Sequence, residues 1–132
     1  MPNANDVELV RAFVRPVGGT IGEETIKDNQ PFEVVAEVEA GTALFNIGGP
    51  YKILGVVQDE NTGAVVATPS VSGTFGTAPW TTPAAVIPLP PVPAQGTGKD
   101  NHIYEATVVL VVGARDPNVD FTEDVLFVIT TP

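Results

Sequence analysis

The chain has 132 residues, 43% of them hydrophobic, with 13 glycines, 13 prolines and no cysteine. That is the size of one ordinary domain with a full core of its own, and the lack of Cys excludes disulfides, thiol catalysis and Cys-ligated zinc or iron–sulfur centres. Sixteen acids face six bases for a formal charge of −10, so no basic patch can neutralise phosphates: nucleic-acid binding and attachment to an anionic membrane are not expected.

The first residues, MPNANDVELV, show neither a basic n-region nor an apolar h-region, so no signal peptide is expected. No apolar run approaches the roughly 20 residues of a membrane helix, so no membrane insertion is expected. A soluble chain follows, with its compartment left open. The acidity itself reads first as solubility.

Glycine and proline punctuate the chain every ten or so residues, a spacing of short β runs. The first strand is expected over 7–15, where Leu9, Arg11, Phe13 and Arg15 alternate with Glu8, Val10, Ala12 and Val14. The second set is the expected inner face, although Leu9 and Phe13 also need cover. Residues 17–30 are polar, and Gly18, Gly19 and Gly22 argue against a helix.

Over 31–40, Phe32, Val34, Ala36 and Val38 oppose Glu33, Val35, Glu37 and Glu39, the pattern of a half-buried strand. Residues 46–50 turn into a strand over 51–58. The segment 59–63 (DENTG) closes a hairpin onto 64–68, with Gly63 suited to a left-handed position.

Six prolines between Pro79 and Pro93 bar that segment from the middle of a sheet. The stretch 70–100 is expected to be an extended connection, or a broken edge strand near 84–89 that covers a sheet edge. Two long β runs, 103–112 and 119–131, end the chain, and the second alternates with a two-residue period. Seven or so strands in one unit, 1–132, point to an all-β, immunoglobulin-like antiparallel β-sandwich, although the Cys…Trp…Cys pattern of true immunoglobulin domains is absent. A jelly roll or small barrel is the alternative.

Catalytic groups are sparse, and no enzyme is expected. His102 is the single imidazole, and neither Ser70 nor Ser72 sits in a Gly-x-Ser-x-Gly elbow. Glu37 and Glu39, about 6.7 Å apart along a strand, have the spacing of paired carboxylates but also that of ordinary solvent-facing charges. No cofactor is expected. Calcium is the one cation that Asp116, Asn118 and Asp120 would suit, because hard cations take oxygen ligands, but the same residues are favoured in a plain turn. Tracing the chain up and down gathers Phe45, Phe75 and Trp80 at one end, a candidate carbohydrate platform of loop aromatics.

The run 106–112 (ATVVLVV) is apolar on both faces apart from Thr107. A two-layer sandwich has only one interior, so a strand greasy on both sides needs a second cover. Val35, Leu54, Val56, Val109, Val111, Leu126 and Val128 are the candidate interface on the outer sides. They point to a non-catalytic structural or assembly module that associates with itself or with a larger protein particle, as a coat, tail or surface component would. The alternative is a carbohydrate-binding module, with calcium as an aid.

Overall fold

A computed structural model describes residues 7–19, 21–112 and 118–130, with the side chains of 118–124 and 130 outside the description. The elements in chain order are β1 (Val7–Pro16), β2 (Thr25–Lys27), β3 (Phe32–Ala40), α1 (Thr42–Ile47), β4 (Pro50–Asp59), β5 (Ala64–Ala67), β6 (Ser70–Thr74), β7 (Ala84–Pro88), β8 (Ile103–Val112) and β9 (Asn118–Thr130). They form an all-β sandwich of two sheets. One has the order β1-β3-β7. The other runs β2-β9-β8-β4-β5, with β6 also paired to β4.

The strands exceed the expected seven for two reasons. Pro69 splits one edge of the large sheet into β5 and β6, both paired antiparallel to β4. The polar stretch before β3 contributes β2, three residues paired parallel to β9, so the sandwich is not wholly antiparallel. Ile26 explains β2: it is fully buried between two exposed neighbours. Among the described residues no helix is long and apolar enough to cross a membrane.

A β-bulge resolves the ambiguity of the first strand. Leu9 pairs with Val38 and Arg11 with Glu37, which leaves Val10 as the extra residue. The bulge shifts the alternation by one. Val7 and Leu9 face the core before it, Ala12 and Val14 after it, while Val10 is pushed into solvent. A second register shift, between Leu110 and Val111, leaves Asp120 as the extra residue of β9.

The proline-rich stretch supplies an edge strand. β7 pairs antiparallel with β3 from Val35↔Pro88 to Glu39↔Ala84. Beyond it Leu89 donates its N–H to Val34 O and Val92 exchanges hydrogen bonds with Phe32. Proline at 88, 90, 91 and 93 denies the free edge a regular row of donors.

Ile87, Leu89 and Val92 turn inward against Phe32, Val34, Ile53, Tyr104, Val108, Leu110, Phe127 and Ile129. Phe32 of the small sheet meets Phe127 of the large one edge-on at 5.3 Å between centroids.

Gly55 makes room for this packing. It lies on the inward row of β4 between Ile53 and Val57, and a side chain there would meet Leu89 Cδ1 at 2.9 Å and Pro69 Cγ at 3.2 Å. Overpacking of this kind costs about 1–3 kcal/mol. Gly55→Val is therefore expected to lower stability by that amount in urea denaturation, and an unchanged midpoint would show that Leu89 is free to move aside.

Candidate functional site

The two outer faces of the sandwich are finished differently. On the three-stranded sheet, β1 carries Arg11, Phe13 and Arg15 outward and β3 carries Glu37, Val35 and Glu33 directly opposite. Each arginine is ion-paired with its cross-strand glutamate. The Arg11 guanidinium lies 4.7 Å from the Phe13 ring centre and that of Arg15 lies 6.0 Å away, within cation–π range.

Val35 sits among these groups and Pro88, fully buried although it is not part of the inter-sheet core. The expectation that Val35 joins an apolar interface is corrected here: it belongs to the opposite sheet from the other six candidates, and its own chain covers it.

The six-stranded sheet carries those six on one outer surface. Leu54 pairs with Val109, Val56 with Thr107, Lys52 with Val111 and Gln58 with Glu105. On β9, Leu126 lies beside Glu105 and Val128 beside Ile103. Leu126 is 61% exposed, Ile103 47% and Val56 38%. Leu54, Val109, Val111 and Val128 are half-buried by their neighbours. Their alternating partners Ile53, Val57, Ala106, Val108, Leu110, Phe127 and Ile129 fill the core. The proline-rich segment covers none of this surface, because it runs along the other sheet.

The structure brings the loop aromatics together, but as packing. Phe75 and Trp80 meet at 4.8 Å, Tyr51 and Trp80 at 4.9 Å, and Phe45 and Phe75 at 6.1 Å between ring centres. Trp80 is fully buried and Phe75 nearly so, leaving Phe45 half-exposed on α1. The Trp80 indole N–H donates to Pro83 O at 3.1 Å. Trp80 is thus a core residue rather than a stacking platform, a correction that follows from the tight turn at 75–80, where Gly76 N–H donates to Trp80 O.

Asp116 lies outside the described residues, as do the side chains of Asn118 and Asp120. Asp59 lies far from Asn118, since Asp59 pairs with Tyr104 at one end of β8 while Asn118 pairs with Val112 at the other. Among the described residues no three His, Asp or Glu side chains gather as metal ligands. A shallow groove of about 230 Å³ is lined by Val10, Glu37, Glu39, Ala84 and Val86, and its Glu37 is already tied to Arg11.

One polar cluster escaped the sequence reading. Asp59 is fully buried at the end of β4. Its Oδ1 accepts the Asn61 N–H at 2.9 Å, and its Oδ2 lies 2.8 Å from His102 Nδ1 and 3.5 Å from Lys99 Nζ. Asn61 Oδ1 in turn accepts the Ile103 N–H. Burial alone would push the Asp59 carboxyl up. The hydrogen bonds from His102 and Asn61, with the charges of His102 and Lys99, outweigh it and hold the group below its usual range. Nearby Tyr104, buried and facing the Asp59 charge, is pushed up to about 12.

This cluster ties the 99–102 loop to the β4–β5 hairpin. Ser70 and Ser72 are not part of it: Ser70 pairs with Leu54, five residues along β4 from Asp59, or about 17 Å.

No protein-family model matches the chain, and no curated protein matches it. Among solved structures, the crystal structure of the C-terminal domain of wzt is similar with a TM-score of 0.62 at 8% identity, over 98% of this chain and 77% of that one. The likeness is one of fold.

Two expectations follow. Trp80 emission is expected to be blue-shifted, resistant to acrylamide quenching and unmoved by glycans, and a quenchable, glycan-sensitive signal would return Trp80 to the surface.

Because the Asp59 carboxyl titrates lower in the folded chain than in the unfolded one (near 3.9), its contribution is complete above about pH 4–5 and is lost as the pH falls through the folded value. Asp59→Asn is expected to cost about 1–3 kcal/mol at neutral pH. The gap in melting temperature from the natural chain should shrink as the pH is taken toward about 3, and a gap that stays constant would contradict this account.

Proposed function

We propose that this chain is a non-catalytic assembly module that self-associates, or docks on a larger protein particle, through the outer face of its six-stranded sheet. The observation that supports this reading is the contrast between the two outer faces. On the small sheet, ion-paired arginines lie over Phe13, and Val35 beside it is fully buried, although Val10 and Val86 stay exposed. Where Leu54, Val56, Val109, Val111, Leu126 and Val128 lie outside the large sheet, the described residues supply no such roof. A contiguous apolar surface, here with Leu126, Ile103 and Val56 exposed among half-buried neighbours, is the kind that marks an interaction site.

The reading fits the rest of the molecule. His102, the one imidazole, is held by Asp59 in a structural role. The central rows of a packed sheet are rigid and present a preorganised surface, which lowers the ordering cost of association. Leu126 is the side chain to probe, because its 61% exposure means that its replacement removes little from the fold.

Sedimentation analysis from about 10 μM to about 1 mM, a span that detects weak to moderate contacts, is expected to show the natural chain rising above monomer mass. Leu126→Asp should remain monomeric with nearly the natural melting temperature. A natural chain that stays monomeric throughout and behaves like Leu126→Asp would overturn the proposal.

A further inference from the structure

The outer side of the six-stranded sheet carries charges as well as apolar residues: Lys52 and Glu105, of opposite sign, lie at opposite ends of the strip formed by β4 and β8, and Lys27 lies exposed on β2. Lys52 lies at one end of β4, exposed. Glu105 lies on β8 opposite Gln58, six residues along β4 from Lys52, or about 20 Å. Among the described cations Arg11, Arg15 and Lys99 are ion-paired within the chain. Among the described residues no ion pair takes up Lys27, Lys52 or Glu105. Between them lie Leu54, Val56, Val109 and Thr107.

We infer that the partner of this face is a second copy of the same chain, related by a two-fold axis lying in the interface and crossing the strands at the level of Gly55 and Val108. This inference rests on the assembly reading above and names its occupant.

A sheet face can meet its own copy only about an axis in the plane of contact, and the interface is then self-complementary, every contact occurring twice. The axis equidistant from Lys52 and Glu105 passes between β4 and β8 beside Gly55 and Val108, which are themselves paired. Rotation about it brings Lys52 onto Glu105 of the second copy. The same rotation sets Leu54 against Val56 and Val111 against Leu126, while Val109 meets the row of Thr107. Two apolar sheets pack about 10 Å apart, a gap that a lysine stem and a glutamate side chain span together.

The area is adequate. Four strand positions at about 4.8 Å and a strand length of about 30 Å give a flat area near 600 Å² per copy. Side-chain relief raises that toward the roughly 800 Å² per partner of a standard interface. The formal charge of −10 opposes association of two copies. Most of the acids lie off this face, and their mutual repulsion is screened beyond about 8 Å at physiological salt.

Charge reversal separates this geometry from any other use of the face. Lys52→Glu and Glu105→Lys are each expected to weaken self-association about tenfold or more, since each puts like charges together twice per dimer. The double variant K52E/E105K carries the natural net charge and is expected to recover association to within about threefold of the natural chain. Glu105→Lys is the sharpest arm. It lowers the overall negative charge, so simple repulsion predicts tighter association where the two-fold pairing predicts weaker.

Association measured by sedimentation equilibrium that is insensitive to both single reversals, is strengthened by Glu105→Lys, or is not rescued in the double variant overturns the two-fold dimer. It leaves the assembly reading in place if Leu126→Asp still abolishes association. A natural chain that never associates overturns both.

Discussion

A pleated strand has two faces, and a two-layer sandwich has one interior. The whole molecule is arranged around that mismatch. One face of β4, β8 and β9 supplies Ile53, Val57, Tyr104, Val108, Leu110, Phe127 and Ile129 to the space against β1, β3 and β7. The core is then tightly filled: where β4 passes beneath Leu89 and Pro69, any side chain at Gly55 would force Leu89 to shift. The apolar residues left over on the other face have no room inside, and their treatment decides what the protein can do.

The small sheet shows how such a surplus is absorbed. Phe13 and Val35 would be greasy patches on a bare sheet. Cross-strand register places Arg11 and Arg15 on either side of Phe13 and a glutamate opposite each, so both guanidinium groups come within cation–π distance of the ring while each is ion-paired. The large sheet has the reverse pattern. Among the described side chains, its outer face has apolar residues along the centre of β4 and β8, with Lys52 and Glu105 at the two ends. The remaining polar cluster, around Asp59, is spent on holding the hairpin end of β4 to the start of β8, and two aromatic groups fix the ends of the interior: Tyr51, Phe75 and Trp80 at one, Phe32, Tyr104 and Phe127 at the other.

What could be seen in the sequence was what depends on a local period. The alternation in β3, β4 and β9 and the glycine of the β4–β5 turn specify strands and a hairpin without reference to anything distant, and Gly63 does adopt the left-handed conformation, at φ 77°. Proline chemistry assigned β7 to an edge for the same reason.

What stayed hidden depends on pairings across the chain. Val10 becomes a bulge only because of its register with β3, so the inner face of β1 could not be chosen from alternation alone. β2 is three residues long and exists by pairing with β9, far away in sequence. Val35 looks identical to Leu54 in a strand pattern, yet one is fully buried between Phe13 and Pro88 and the other is only half-buried. Trp80 in a proline-rich loop reads as a surface aromatic until the turn at 75–80 folds it inward. The Asp59–His102 contact joins residues 43 apart, and no spacing rule announces it.

The central claim is that the outer face of the six-stranded sheet, and not the roofed face of the other, is where this molecule meets its partner copy. Methyl resonances followed through a dilution series test it most directly. The account predicts that signals from Val56, Val109, Val111 and Leu126 shift with concentration while those of Val10 and Val86, exposed on the small sheet, stay fixed. Shifts at Val10 and Val86 with a silent large sheet, or no concentration dependence anywhere, would contradict it.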